Sequence, residues 1–234
     1  MRSLVAILLL MLPGIAEAQC RLALALGLDV SGSVDFSEYR LQYNGLAGAL
    51  ADPEVQDSLF ALPEAPVAIA VYEWSSSGFQ RVVVDWRVLH GVAELEEVRN
   101  QLLARKRERA PAQTGLGRAM LFGQDMINVG PRCWDQTLDI SGDGKNNDWP
   151  PPKRVKESGE IEGLRINALV VAEDPSGDLS VGELTTYFKE RVIQGPDAFV
   201  EVALGYSDYA EAMKRKLLRE LAVLAIGALD SKTE

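Results

Sequence analysis

Two carboxylates and three hydroxyls occupy positions in the sequence from which they could bind one metal ion together. These side chains are Asp29, Ser31, Ser33, Thr114 and Asp143. The first three alternate directly after an apolar run, residues 22–28, which is typical of a buried parallel strand. Oxygen ligands suit a hard cation, with Mg²⁺ favoured and Mn²⁺ or Ca²⁺ as alternatives. With few carboxylates the cation would be short of negative charge, so a last ligand could come from another molecule.

The remaining two donors stand where the chain enters or leaves a predicted element. Thr114 lies just before a helix predicted from Leu116, and Asp143 follows a strand predicted over residues 136–141. Gly142 and Gly144 flank Asp143 and predict tight backbone geometry there. Because open α/β sheets bind ligands at the carboxyl ends of their strands, we expect all three loops to meet at that edge.

Strand and helix patterns alternate along the chain. We predict strands over residues 22–28, 67–72, 81–86, 136–141, 164–171 and 199–204. We predict helices over residues 36–51, 95–107, 116–128, 180–191 and 208–229, and another that opens near 150–152. The short link over residues 75–78 predicts a hairpin. The expected fold is α/β: a doubly wound, mostly parallel six-stranded sheet with helices on both faces and one antiparallel edge strand.

The amino terminus has the pattern of a bacterial signal peptide, which predicts export to the periplasm or the medium. Arg2 precedes nine apolar residues, Pro13 and Gly14 break the run, and Ala16-Glu17-Ala18 fits a cleavage site before Gln19. The apolar run is too short for a permanent membrane span. Glu17 occupies the lipobox position three before Cys20, which argues against a lipoprotein. We therefore assign residues 1–18 to the signal peptide and 19–234 to a single domain.

The two cysteines are expected to form a disulfide in an exported protein. Cys20 precedes Asp29 by nine residues and Cys133 precedes Asp143 by ten. If their strands are parallel neighbours that end level, both cysteines lie together at the amino ends, opposite the candidate site. The alternative is two unrelated buried thiols.

Composition excludes some partners. The chain has 234 residues, 47% of them hydrophobic, and a formal net charge of −10. This balance argues against nucleic acid and anionic membrane surfaces, which attract basic proteins. The basic run over residues 105–109 is read as a solvated helix end, with a docking patch as the alternative.

The motif over residues 29–33 resembles the metal-ion-dependent adhesion site of von Willebrand factor A domains. That motif is Asp-x-Ser-x-Ser, followed by a distant Thr and a distant Asp, and Thr114 and Asp143 match the later parts in order. Residues 141–147 and 193–200 further resemble secreted bacterial von Willebrand A-type proteins that form a family of unknown function. The resemblance covers the mature chain. It implies that the three hydroxyls are ligands of a divalent cation, that the two acids reach it directly or through water, and that an Asp or Glu carboxylate of a protein partner completes its coordination.

Other motifs fit less well. An EF-hand would need Gly at Val34 and Glu at Arg40, and a phosphate loop would need Ser or Thr where Asn146 follows Lys145. A Ser-His-Asp triad would have to use His90, the only histidine, and no Gly-x-Ser-x-Gly elbow accompanies it. We therefore expect a binding module and not an enzyme. The alternatives are a cation that only stabilises the loops and, less favoured, a metal-dependent hydrolase.

Overall fold

A computed structural model describes residues 20–172 and 180–230, and in the last helix it describes side chains only as far as residue 222. The predicted signal peptide lies outside these residues. In chain order the strands are β1 (Cys20–Asp29), β2 (Val67–Trp74), β3 (Gln80–Leu89), β4 (Cys133–Gly142), β5 (Arg165–Ala172) and β6 (Val200–Leu204). They form one sheet in the order β3-β2-β1-β4-β5-β6, in which the β2–β3 pair is antiparallel. The predicted mostly parallel six-stranded sheet and its hairpin are confirmed.

Helices cover both faces of this sheet, as predicted. They are α1 (Phe36–Ala51), α2 (Pro53–Leu59), α3 (Val92–Ala104), α4 (Leu116–Val129), α5 (Pro152–Ser158), α6 (Val181–Arg191) and α7 (Tyr209–Asp230). One core cluster contains side chains of α1, α2, α3 and α7, and the second contains side chains of α4, α5 and α6. Since both faces are covered, all ten residues of β1 are buried, which explains its continuous apolar run.

Helices α2 and α3 differ from the sequence prediction. The sequence prediction ended the first helix at residue 51 and placed no helix after it, but Asp52 and Pro53 begin α2: the Asp52 side chain accepts a hydrogen bond from Glu54 N, and Pro53 occupies the first turn. Proline is tolerated there because that turn has no intrahelical acceptor for its missing N–H. Helix α3 ends at Ala104, before the basic run, because Arg105 adopts an extended backbone.

The amino ends of β1 and β4 are joined covalently. Cys20 and Cys133 are direct partners in the strand register and form a disulfide with a Cα–Cα distance of 4.5 Å. The predicted disulfide and its place at the edge opposite Asp29 and Asp143 are confirmed. Among the described helices, none combines the length and the apolar character that crossing a bilayer requires.

The sheet order places a topological switch between β1 and β4. From β1 the chain passes to β2 on one side, while β4 pairs with the other side of β1. The connections leaving two such neighbouring strands diverge and open a crevice at their carboxyl ends. Asp29 ends β1, and Asp143 directly follows β4.

Candidate functional site

The structure brings all five predicted donors together at this crevice. Ser31 Oγ lies 3.2 Å from Ser33 Oγ, and Thr114 Oγ1 donates to Ser31 Oγ at 3.4 Å. Ser33 Oγ donates to Asp143 Oδ1 at 2.7 Å. Three loops that are far apart in sequence therefore form one continuous cluster of oxygen atoms. Whether these side chains bind a metal stays a prediction.

Asp29 lies at the base of this cluster with one oxygen unsatisfied. Its Oδ1 accepts the Ser31 N–H at 2.8 Å, whereas its buried Oδ2 has no hydrogen-bond partner. Burial raises the pKa of Asp29 well above its ordinary value, and the charge of Asp143 raises it further. A buried carboxylate oxygen without a donor is costly, and a bound cation would remove that cost.

Asp143 is partly buried and is held from two sides. Ser33 donates to its Oδ1, and the hydroxyl of Tyr206 donates to its Oδ2 at 3.1 Å. Burial and the nearby charge of Asp143 raise the pKa of Tyr206 well above its ordinary value. The tyrosine therefore stays protonated at neutral pH and remains a hydrogen-bond donor to the carboxylate.

Backbone contacts fix the loop that carries Thr114. Thr114 N donates to Asn147 Oδ1 at 2.7 Å, and Asn147 N returns a bond to Thr114 O at 3.0 Å. Gly32 N donates to Ala112 O at 3.2 Å, and a Cβ at Gly32 would lie 2.8 Å from Ala112 atoms. A larger residue at Gly32 would therefore push the first loop away from the loop of Thr114.

Sequence reasoning missed two side chains that support the site. Tyr206 follows β6, so it lies at the same carboxyl edge, and that position is the signal that could have identified it. Gln42 is buried in α1 and donates from Nε2 to Asp29 O at 2.9 Å. A glutamine on the buried face of a predicted helix was a usable signal, but its partner depended on the packing of α1.

The basic run does not form a solvated helix end as predicted. Arg105 turns inward, and its Nη2 donates to the buried Glu73 Oε2 at 2.9 Å. Arg107 donates to the carbonyl oxygen of Val34, next to Ser33 in the first site loop. Two arginines thus attach the segment before Thr114 to the body of the domain. Lys106 and Arg109 are exposed.

The candidate site could coordinate a hard cation only if its hydroxyl oxygens act as ligands together with its carboxylates. Among the described residues, no group of three or more His, Cys, Asp and Glu side chains is placed to hold a metal. The candidate cluster has two carboxylates and three hydroxyls instead. Oxygen donors of this kind match the preferences of Mg²⁺, Mn²⁺ and Ca²⁺, and the partnerless Asp29 oxygen faces a second carboxylate.

A family model described as "Protein of unknown function (DUF1194)" matches residues 19–225. The chain therefore belongs to this family. The family is similar in fold to von Willebrand factor A domains. No curated protein sequence matches the chain significantly.

Solved structures show the same fold at low sequence identity. Proximal thread matrix protein 1 from the mussel byssus is 14% identical with a TM-score of 0.63, over 88% of this chain and 49% of that one. A further structure of that protein has a zinc-occupied MIDAS motif.

The von Willebrand factor type A protein from Catenulispora acidiphila is 16% identical with a TM-score of 0.59, over 86% and 43% of the two chains. The pilus adhesin SpaC from Lactobacillus rhamnosus GG, in an open conformation, is 13% identical with a TM-score of 0.57, over 88% and 30%. This chain thus spans about half the length of the mussel protein and less than half the length of the other two. These likenesses establish the von Willebrand A-like fold.

Proposed function

We propose that this member of the DUF1194 family binds a divalent cation at the five-residue cluster and, through it, a carboxylate of a protein partner. Asp29, Ser31, Ser33, Thr114 and Asp143 would hold the cation, directly or through water. Mg²⁺ is the favoured metal. The cation would supply a positive centre with a coordination position that an Asp or Glu of the partner can occupy.

One observation carries the metal half of the proposal. Asp29 Oδ2 is buried and has no hydrogen-bond partner, although it belongs to a cluster of four other oxygen-bearing side chains. Folding has therefore isolated a carboxylate oxygen from water without completing its interactions. A cation among these oxygens would complete them. The zinc-occupied MIDAS motif of the mussel protein is consistent with this arrangement on a similar fold.

The partner half rests on charge and on where the cluster lies. Ser33 is exposed and Asp143 is only partly buried, so the cluster opens toward solvent. The two carboxylates of the cluster would neutralise the formal charge of a divalent cation without exceeding it. A hard cation also keeps further coordination positions for water or another oxygen. One similar fold belongs to a pilus adhesin, which supports a role in binding another protein.

A binding role is proposed in preference to catalysis because of where the histidine lies. His90 directly follows β3, whose Leu89 pairs with Val67 at the amino end of β2. It is therefore at the edge opposite Ser31 and Ser33 and cannot act as their base. The disulfide and the predicted signal peptide support a location outside the cytoplasm, in the periplasm or the medium.

The metal can be tested by titrating Mn²⁺ into the protein by calorimetry. We expect saturable 1:1 binding that weakens by about 100-fold or more in Asp29→Ala, because a ligand and the buried charge are both lost. Asp57→Ala is the matched control, since Asp57 is an exposed carboxylate on α2. Equal binding by both variants and the wild type would place the metal elsewhere and refute the proposal.

The open position can be tested on the Mn²⁺-loaded protein with acetate as a carboxylate probe. If acetate replaces a bound water, the water-proton relaxivity of the protein-bound Mn²⁺ falls as acetate is added, while the Mn²⁺ stays bound. Unchanged relaxivity, with saturating metal, would favour the alternative in which the cation only stabilises the loops. The partner half of the proposal would then be wrong.

A further inference from the structure

A cleft of about 670 Å³ lies between helix α6 and the loop that follows Asp143. The charged and aromatic residues of its lining are Lys145, Lys153, Glu183, Tyr187, Glu190 and Arg191. The mechanism proposed above does not use these side chains.

The cleft is continuous with the metal-site loop. Lys145 lines it and stands two residues after Asp143. Asn146 N, in the same loop, donates to the hydroxyl of Tyr187 in the opposite wall at 3.2 Å. The cleft and the candidate metal site therefore share one loop, which carries Asp143 on one side and Lys145 on the other.

The shape of the cleft suits an extended polypeptide. Its α6 wall is formed by residues 182, 183, 186, 187, 190 and 191, which share one face of the helix. From 182 to 191 the helix rises about 14 Å. An extended chain advances about 3.3 Å per residue, so roughly four residues fit along this wall.

The charge of the cleft suits an acidic occupant. Lys145, Lys153 and Arg191 face two acids, and one of these, Glu183, is engaged in the capping box of α6. Within residues 20–172 and 180–230, Lys145 and Arg191 have no ion-pair partner, and Lys153 reaches only Glu157 at 3.6 Å. Three cations therefore share one cleft in a chain whose net charge is −10.

We propose that this cleft binds the segment of an acidic polypeptide partner that adjoins the carboxylate at the metal. A second acidic side chain of that segment, a few residues from the first, would pair with Lys145, Lys153 and Arg191. This inference rests on the proposed function and extends it, because it assigns the partner a pattern of two spaced acids.

The test compares two fluorescent peptides on the Mn²⁺-loaded protein at low salt. Both have a Gly-Ser background; one carries a single Asp, and the other carries two Asp residues separated by three positions. By fluorescence anisotropy we expect the two-acid peptide to bind about tenfold more tightly, the effect of one additional charged hydrogen bond or ion pair. Arg191→Glu and Lys153→Glu should each remove this advantage.

The matched control is Lys189→Glu, which makes the same charge change on α6 at an exposed residue outside the cleft. It should keep the advantage of the two-acid peptide. Equal affinity of the wild type for both peptides, binding of neither, or an advantage that survives both cleft variants would overturn the inference. An advantage of the same size in chelator would also overturn it, because the first acid is assigned to the metal. Mn²⁺ binding by calorimetry on the same samples shows separately whether the metal proposal holds.

Discussion

Asp29 and Glu73 are both buried carboxylates near the carboxyl ends of neighbouring strands, but their surroundings differ. Glu73 Oε1 accepts the hydroxyls of Tyr39 and Tyr43, both at 2.6 Å, and its Oε2 accepts Arg105 Nη2 at 2.9 Å. Asp29 Oδ1 accepts the Ser31 N–H at 2.8 Å, whereas its buried Oδ2 has no hydrogen-bond partner. The register pairs Glu73 with Leu28, the residue before Asp29.

The difference separates a carboxylate that the fold completes from one that it leaves incomplete. Glu73 connects α1, β2 and the segment after α3, so its charge stabilises the native packing. Asp29 lies in the crevice between β1 and β4, where its carboxylate accepts the Ser31 N–H and lies near the charge of Asp143. We infer that Glu73 stabilises the native packing and that a bound ligand completes the interactions of Asp29.

Among substitutions compared at a single pH, the largest expected effect is the loss of stability in Glu73→Gln. The amide NH₂ would face the donors of Arg105, while the arginine would lose its charged acceptor. We expect the free energy of unfolding in urea to fall by about 3 kcal/mol. A loss below about 1 kcal/mol would show that Arg105, which is partly exposed, simply turns to solvent.

The next effect is stabilisation by metal, which should distinguish the two residues. At a metal concentration 100 times Kd, ligation of the native state adds about 2.7 kcal/mol to the free energy of unfolding. We expect this gain in the wild type and in Glu73→Gln but not in Asp29→Asn. The check is urea unfolding in Mg²⁺ and in chelator. A full gain in Asp29→Asn would contradict the contrast.

A third buried carboxylate, Asp139, lies between these extremes. Lys216 Nζ contacts its Oδ2 at 2.8 Å but also pairs with Glu220, and Asp139 Oδ1 has no hydrogen-bond partner. Burial raises the pKa of Asp139 to about 7, and Glu220 adds to the rise while Lys216 opposes it. The folded state therefore holds this proton more tightly than the unfolded state.

A raised carboxyl pKa gives a contribution to stability that is present at low pH and lost as pH rises. We expect the wild type to lose stability relative to Asp139→Asn between about pH 4 and pH 7, by at most about 1.4 kcal/mol per pH unit. Urea unfolding of both proteins across this range, in chelator, measures the difference. A parallel pH dependence would mean that Lys216 keeps Asp139 ionised throughout.

The smallest expected effect is that of Asp29→Asn without metal. Asparagine keeps an acceptor for Ser31 N and removes a buried charge that has no cation partner among the described residues. We expect a change in the free energy of unfolding of less than about 1 kcal/mol, in either direction, in chelator. A loss of more than about 2 kcal/mol would show that Asp29 is structural in the way that Glu73 is.

The sequence predicted the elements whose signals are local or periodic. Six strands, the hairpin and most helices follow from apolar runs and their spacing, and the Asp29, Thr114 and Asp143 loops follow from strand and helix ends. Helix α2 was missed because it has only seven residues, too few for a clear apolar period, and begins with a proline. The end of α3 was misplaced because Arg105 leaves the helix for Glu73, a partner 32 positions away in the chain.

By itself the sequence determined the α/β pattern, the donor types and their order, and the pair of cysteines. These depend on residue type and short spacing, which local physical chemistry governs. Only the tertiary structure decided that Tyr206 holds Asp143, that Glu73 is satisfied while Asp29 is not, and that Lys145 and Arg191 share a cleft. Hydrogen bonding and burial depend on which distant residues the packing brings within about 3 Å, and no local pattern encodes that distance.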